Sequence, residues 1–566
     1  MRLLITEFQD FFDPSVPGLG VLRLPTGYGK TELFLQFAEM ACNGNIERAV
    51  YVSPLRTLNE DLYRKLVERV PCLRENSDIL AREYMERRES PFFHKKVIVT
   101  TIDTIGMHLH KIPIPELRAL LRGFFKKDFS TRGHYPVSRS NVSESLVFID
   151  EPHLMVLEKG MKQMFYNTLY YLLGTGATVV LASATIPGSM ISNAKKLLET
   201  TRDMLKIDIK YTECLYGEKC GEADGRDEDF EEKALAKRVS ISMSESLDDS
   251  LSLAIKRKRE GKRVLIILNT RETVLKAQRK LLELGERPIL LHGLLSKNDR
   301  EERTSELLDM YKRGESYIAL ATSVVEAGID ISSDFMVAEL SPLPSLIQRA
   351  GRLLRKDEDV DGELVILTTE RRGPYDAKEV EVTKDLLVER LNRVALKAPW
   401  GKEGKMGYMK LVEEWDGLMR SDEGHIQYRK DNIKYKKDIL SLKKDILSLS
   451  PRDQTLNIND FLTGELGRRI VSINAFIEGR RGDSVSVPVQ DLFAYPKDRL
   501  LNEIRNIETC RENGKVLSKE EFINEIETML SRERSIEKVN LYLKENCIES
   551  ISISEDLYAD IAYGGR

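Results

Sequence analysis

Five short runs of aliphatic and β-branched residues punctuate the first 185 positions: Val21–Leu24, Ala49–Val52, Val97–Thr101, Leu146–Ile149 and Thr178–Ala182. Each stops in a cluster of small or polar residues, and helical sequence such as Leu33-Phe34-Leu35-Gln36-Phe37-Ala38-Glu39-Met40 lies between. Strand and helix signals alternating in this way predict a parallel sheet wrapped by helices, an α/β architecture. Ligands of such sheets gather at the carboxyl ends of the strands. The chemistry is therefore to be sought where the runs stop.

The first run stops at Pro25-Thr26-Gly27-Tyr28-Gly29-Lys30-Thr31-Glu32. Glycines at 27 and 29 let backbone N–H groups wrap a phosphate at a helix N-terminus, where the dipole favours anions. Lys30 would reach the β- and γ-phosphates of ATP, and Thr31 would offer its hydroxyl to Mg²⁺. The longer form of this loop needs glycine at position 24, where this chain has Leu24. A glycine turn that only caps a helix is the plain alternative. The fourth run ends in Asp150-Glu151-Pro152-His153. A strand that has merely reached water also ends in charge. Together with a phosphate loop, Asp150 is expected to hold Mg²⁺, largely through water, and Glu151 to orient and polarise the attacking water. Pro152 fixes φ and removes one donor, which a loop leaving a strand tolerates.

A second α/β half follows, with runs at Val264–Leu268, Ile289–Leu291 and Tyr317–Ala321 and no phosphate loop of its own. It carries instead Thr322-Ser323-Val324-Val325-Glu326-Ala327-Gly328-Ile329-Asp330, and then Gln348-Arg349-Ala350-Gly351-Arg352-Leu353-Leu354-Arg355. The latter resembles motif VI of superfamily 2 helicases, and the earlier pieces fall into that family's order. Pro54-Leu55-Arg56 resembles motif Ia, Thr100-Thr101 motif Ib, Asp150 to His153 motif II, Ser183-Ala184-Thr185 motif III and Thr322 to Asp330 motif V.

The resemblance covers roughly residues 1–370 and implies two tandem RecA-like domains with ATP between them. It gives Gln9 an adenine-reading role and sets Thr26, Gly27, Gly29, Lys30, Thr31, Glu32, Gly328 and Asp330 around the nucleotide. Gln348 would contact the γ-phosphate or the water, and Arg352 and Arg355 would stabilise charge in the transition state. His153, Ser183 and Thr185 would couple the ATP state to the second half. Arg56, Thr101 and Thr322 would touch the nucleic acid. Within the superfamily, Val324 to Ile331 followed by Pro342-Leu343-Pro344-Ser345-Leu346-Ile347-Gln348-Arg349-Ala350-Gly351-Arg352 is similar to the signature helicase of type I CRISPR systems.

That family's full-length members join the helicase to an HD nuclease, which needs clustered histidines and a His-Asp dipeptide. None of the seven histidines here is followed by aspartate. His108 and His110, two apart, are expected on one strand face in local polar packing. With the first strand near residue 21, a helicase-only form is expected, served by a separate HD-type nuclease subunit and the guide-RNA surveillance complex. The function expected is an ATP-dependent DNA helicase or single-stranded DNA translocase running 3′ to 5′. An ATP-gated clamp, or a repair or RNA helicase of the same superfamily, is the alternative.

Composition constrains the rest. A net charge of −4 leaves any nucleic-acid contact to local patches. One candidate is the insertion at 111–145. Its first 30 residues hold seven Lys/Arg against two acidic residues, with Phe124, Phe125, Phe129 and Tyr135 interleaved. It reads equally as a strand-stacking element or as an amphipathic helix with a loop. Six scattered cysteines are expected as free thiols in a reducing cytoplasm. No run is long and apolar enough to span a membrane, and no secretory signal is present. The expected domains are 1–210, an acidic surface excursion at 211–238, 239–372, and a mainly helical accessory domain at 373–566. In the last, a seven-residue repeat at 436–449 suggests one amphipathic helix.

Overall fold

The computed structural model describes residues 2–564 apart from 55, 85–86, 113–134, 157–158, 327–330, 357–358, 369–374, 402–403, 423–470, 510–517, 532–537, 540–541, 544–545 and 547. Gly328, Asp330, the 436–449 repeat and most of the 111–145 insertion lie outside the described residues.

The first domain is built on nine strands: β1 (Gly18–Arg23), β2 (Arg48–Ser53), β3 (Leu80–Tyr84), β4 (Arg87–Arg88), β5 (Val97–Thr101), β6 (Ser145–Asp150), β7 (Thr178–Ser183), β8 (Lys210–Leu215) and β9 (Lys219–Cys220). They run in the order β4-β3-β5-β2-β6-β7-β1-β8-β9, and only the two outermost pairs are antiparallel. The central strands are buried along their length, as a sheet covered on both faces requires. The crossovers sort the motifs in space. The loops after β5, β2, β6, β7 and β1 stand side by side along one carboxyl edge, with both acidic residues next to the phosphate loop's neighbours.

The second domain is a parallel sheet of β10 (Arg238–Ser244), β11 (Val264–Ile267), β12 (Ile289–Leu291), β13 (Ile318–Ala321), β14 (Phe335–Glu339) and β15 (Asp361–Leu367). Its order is β10-β15-β14-β11-β13-β12. Helix Leu343–Ala350, fully buried, carries the start of the Gln-Arg-Ala-Gly-Arg motif out of β14.

Three expectations are corrected. Residues 211–238 are no excursion: β8 pairs in parallel with β1, β9 extends the sheet, and helix Glu228–Leu235 packs Phe230 edge-on against Tyr28. The cysteines described are not free thiols. Cys42 at the end of helix Lys30–Cys42 is bonded to Cys72, and Cys214 to Cys220 across the β8/β9 pair. Chain spacing does not report that packing brings these pairs together. His108 and His110 lie in and just after a helix, Ile102–Leu109, not on a strand.

The C-terminal region contains the expected helices but is organised by a sheet, in the order β19-β18-β21-β20, of β18 (Ser472–Ile477), β19 (Ser484–Pro488), β20 (Ile504–Thr509) and β21 (Ile548–Ile553). It sits on the second domain. Asp299 accepts hydrogen bonds from Tyr558 and Tyr563 at 2.6 Å each and pairs with Arg480 at 2.7 Å. Between them, residues 394–422 cross to the first domain. Lys397 donates to the Leu353 carbonyl at 2.6 Å, and Asp416 on helix Tyr408–Asp422 accepts from Ser189 N at 2.9 Å and Oγ at 2.5 Å.

Candidate active site

The phosphate loop leaves β1 with Gly27 at φ 76° and Gly29 at φ 109°. A Cβ at either position would meet nothing within 4 Å, so the demand for glycine comes from the backbone and not from crowding. Lys30 turns back over the loop and donates to the Leu24 and Pro25 carbonyls at 2.9 and 3.0 Å. Burial lowers its pKa, against the upward pull of Glu151 and Asp150. Thr31 follows on the first turn of the helix. Gln9 donates to Gln36 at 2.6 Å and so packs against the same helix. Glu32 is directed elsewhere, with both carboxylate oxygens on the Arg69 guanidinium at the surface.

Asp150 closes β6 and accepts from the Tyr51 hydroxyl at 2.5 Å. Burial, and then the Glu151 carboxylate, push its pKa up. Glu151 has φ 51°, a left-handed conformation costing a residue with a Cβ about 1–2 kcal/mol. The conformation is fixed by its N–H, which donates to the Ala182 carbonyl at 2.9 Å, and by bonds to its carboxylate from the Ser183 hydroxyl and from Gln348 Nε2 at 2.8 Å. Pro152 then begins a 3₁₀ turn, Pro152–Val156, where a missing N–H costs little.

The Gln348 contact is the one that crosses between domains. Its Nε2 lies 3.3 Å from His153 Nε2 as well. His153 is buried and its pKa is pushed down to about 3, so its ring is neutral. With Nε2 accepting from Gln348, the proton resides on Nδ1, which faces Ser183 Oγ at 3.3 Å. Thr185 Oγ1 approaches Nε2 at 3.2 Å. His153, Ser183, Thr185, Glu151 and Gln348 therefore form one continuous network spanning the cleft. Gln348 Oε1 is buried with no hydrogen-bond partner among the described residues.

The arginines behave differently from one another. Arg352 donates to the Glu326 carbonyl at 2.5 Å, while its buried Nε has no partner among the described residues. Arg355 is exposed beyond the turn, its N–H held by Ser332 Oγ at 2.8 Å. Arg349, to which sequence reasoning assigned no role, is the largest fully buried side chain. It bonds Glu326 at 2.7 Å, Asn269 Oδ1 at 2.8 Å, the Glu339 carbonyl at 2.7 Å and the Tyr375 hydroxyl at 3.0 Å. That network joins the ends of β11 and β14 to the segment after β13.

At the other end of the edge, Thr101 is buried at the residue before helix Ile102–Leu109, with its hydroxyl 3.1 Å from that of Thr104 and no side-chain bond to the helix N–H groups. Arg56 begins helix Arg56–Arg69, and Thr322 precedes the 3₁₀ turn Ser323–Val325. The donors at the nucleotide end are hard oxygens, a hydroxyl at Thr31 and a half-buried carboxylate at Asp150 beside a second one. Such a set suits Mg²⁺.

Residues 9–194 match the DEAD/DEAH box helicase model, and residues 260–358 match that of the CRISPR-associated nuclease/helicase Cas3 C-terminal region. The chain is similar to DEAD/DEAH box helicases in its first domain and to Cas3 in its second. It is 23% identical over 396 residues to the CRISPR-associated helicase Cas3 of Thermoproteus tenax, covering 68% of this chain and 62% of that protein. It is 25% identical over 405 residues to the putative CRISPR-associated nuclease/helicase Cas3 of Methanocaldococcus jannaschii, covering 67% and 50%. The crystal structure of T. fusca Cas3 with AMPPNP superposes with a TM-score of 0.53 at 18% identity, covering 84% of this chain and 61% of that one. The chain thus spans between half and two thirds of the length of these relatives. Among the described residues, no helix is long and apolar enough to cross a membrane.

Proposed function

We propose that this chain is an ATP-dependent single-stranded DNA translocase of CRISPR interference, moving 3′ to 5′ and unwinding target DNA. The single observation that carries the reading is the Gln348–Glu151 bond, which ties the second domain to the candidate water-activating carboxylate of the first. Gly27, Gly29 and Lys30 bind the triphosphate, with Thr26 and Gln9 beside it. Thr31 and Asp150 hold Mg²⁺, which neutralises phosphate charge when bound. Glu151 accepts a hydrogen from the attacking water, and Gln348 Oε1, an acceptor without a partner among the described residues, takes the other. Arg352 swings its guanidinium from the Glu326 carbonyl toward the γ-phosphate, and Arg355 joins it as the domains close. Hydrolysis removes the group that these residues share. The network through His153, Ser183 and Thr185 then relaxes, and the grip of Arg56, Thr101 and Thr322 on the strand alternates.

The CRISPR assignment draws on the Cas3-like match in the second domain and on the T. tenax relative. Its partners are then a cytoplasmic guide-RNA surveillance complex and a separate HD-type nuclease subunit. A second reading, an ATP-gated clamp without productive unwinding, is favoured by the bond that keeps Arg352 on its own domain. The deciding experiment pairs ATPase stimulation by single-stranded DNA or RNA with unwinding of a 3′-tailed duplex. The proposal expects DNA to stimulate more than RNA and the duplex to open. Stimulation without unwinding supports the clamp, and preference for RNA supports an RNA helicase.

A further inference from the structure

Two loops expected to touch the nucleic acid follow adjacent parallel strands: Pro54 to Arg56 after β2, and Thr101 at the end of β5. Ser53 and Thr101 are partners in the β2/β5 register. Past that register the strands diverge into separate helices, and backbone pairing no longer fixes one loop against the other.

The Asn59 side chain bridges the gap. Asn59 lies one turn into helix Arg56–Arg69 and is fully buried. Its Oδ1 accepts from Ser53 Oγ at 2.8 Å, and its Nδ2 donates to the Thr100 carbonyl at 2.9 Å. Ser53 and Thr100 are themselves fully buried, and the Thr100 hydroxyl donates to the Glu83 carbonyl of β3. Asn59 thus ties the end of its own strand, the start of its own helix and the end of the neighbouring strand.

The chemistry is specific to asparagine. Aspartate has no donor for the carbonyl and would set a carboxylate against it, leucine offers neither group, and glutamine is one methylene too long for the same two atoms. In the direction of the strand, nucleic acid laid across this edge meets the loop after β2 and then the loop after β5. The separation of those loops determines whether both engage neighbouring phosphates. We infer that Asn59 is a positioning residue for nucleic-acid binding, holding the β2 and β5 loops at one spacing so that they engage the strand as a unit. The inference rests on the proposed translocase function and adds to it a residue that contacts neither nucleotide nor strand.

The test is an ATPase titration of the full chain with an oligodeoxythymidine. The unstimulated rate, the stimulated maximum, the half-stimulating concentration and the melting temperature are recorded together for Asn59→Leu, Asn59→Asp and Ser53→Ala. Loss of both bonds should raise the half-stimulating concentration on the order of tenfold, with the unstimulated rate within about twofold of wild type. Asn59→Asp should match Asn59→Leu, because it lacks the donor to Thr100 and in addition sets a carboxylate against that carbonyl. Ser53→Ala removes one bond by deleting a single hydroxyl and should give a rise of about threefold in a folded protein. The inference is overturned by an unchanged half-stimulating concentration in folded Asn59→Asp or Ser53→Ala. It is overturned equally if the unstimulated rate and the melting temperature fall together while DNA dependence stays put. A wild-type chain that ignores DNA overturns the proposed function, and this inference with it.

Discussion

Gln348 and Arg349 are neighbours on one buried helix, yet they serve different bodies of the molecule. Gln348 reaches out of its domain to Glu151 and His153, while Arg349 turns inward to Glu326, Asn269 and Glu339. The same contrast holds between the two sheets. In the first, the strand ends carry charge, positive φ and strain: Gly27, Gly29 and Glu151. In the second, the helix after β14 presents a neutral amide, and Arg352 in the turn that follows keeps a buried Nε with no partner among the described residues. On the proposed reading, the first domain holds the reacting groups. The second reaches them through Gln348.

Predictions sharpen this division. The largest effect belongs to Glu151→Gln, which keeps the shape and removes the base. ATP turnover should fall by about 10²–10⁴ while nucleotide affinity changes little, as single-turnover and binding measurements will separate. Arg349→Met should act on the fold instead. Removing one partner of an ion pair whose side chains are 0% and 3% exposed costs about 3–5 kcal/mol, measurable by denaturant unfolding. If Arg349→Met lost turnover at unchanged stability, the two neighbours would not be divided as described.

Reduction comes next. Cys42 and Cys72 close a loop of sequence separation 30, and opening it should cost about 3 to 4 kcal/mol on chain-entropy grounds. A thiol titration of the denatured, unreduced chain should find Cys42, Cys72, Cys214 and Cys220 unreactive. Reaction at all four would restore the free-cysteine expectation.

The smallest effect is on pH. Burial pushes His108 and His110 down to about 3 in the native first domain, while an unfolded histidine titrates near 6.5. Their contribution is complete above about pH 6.5 and is lost progressively as the pH falls toward 3, because the unfolded chain takes up protons first. The melting temperature should drop between pH 7.5 and 5, with a shallower slope in a His108→Gln/His110→Gln variant. An unchanged slope would remove these histidines from the balance.

What was readable in the sequence follows the same division. The phosphate loop and Asp150-Glu151 are legible because their chemistry is compressed into a few contiguous residues with demanding backbone geometry. The contact of Gln348 with Glu151 was not foreseen: family order placed Gln348 only at the γ-phosphate or the water, and nothing local ties residues 197 apart in the chain. Arg349 was invisible among three arginines, because its buried partners Glu326, Asn269 and Glu339, and not its spacing, set it apart. Residues 211–238 read as an excursion because charge and glycine masked two short strands at a sheet edge. In the C-terminal region, Ser484-Val485-Ser486-Val487 and Ile551-Ser552-Ile553 did carry a period of two. That signal, overlooked beside the helical repeat, marks the sheet that docks on Asp299.

The central claim is that the two domains share one hydrolytic site through Gln348 and Glu151. A double-mutant cycle with Glu151→Gln and Gln348→Ala, read on the DNA-stimulated turnover of ATP, tests it most directly. Residues acting on one water should be strongly non-additive, so that the double variant loses little more than Glu151→Gln alone. If the two losses simply multiply, the domains act on turnover independently and the shared site is contradicted.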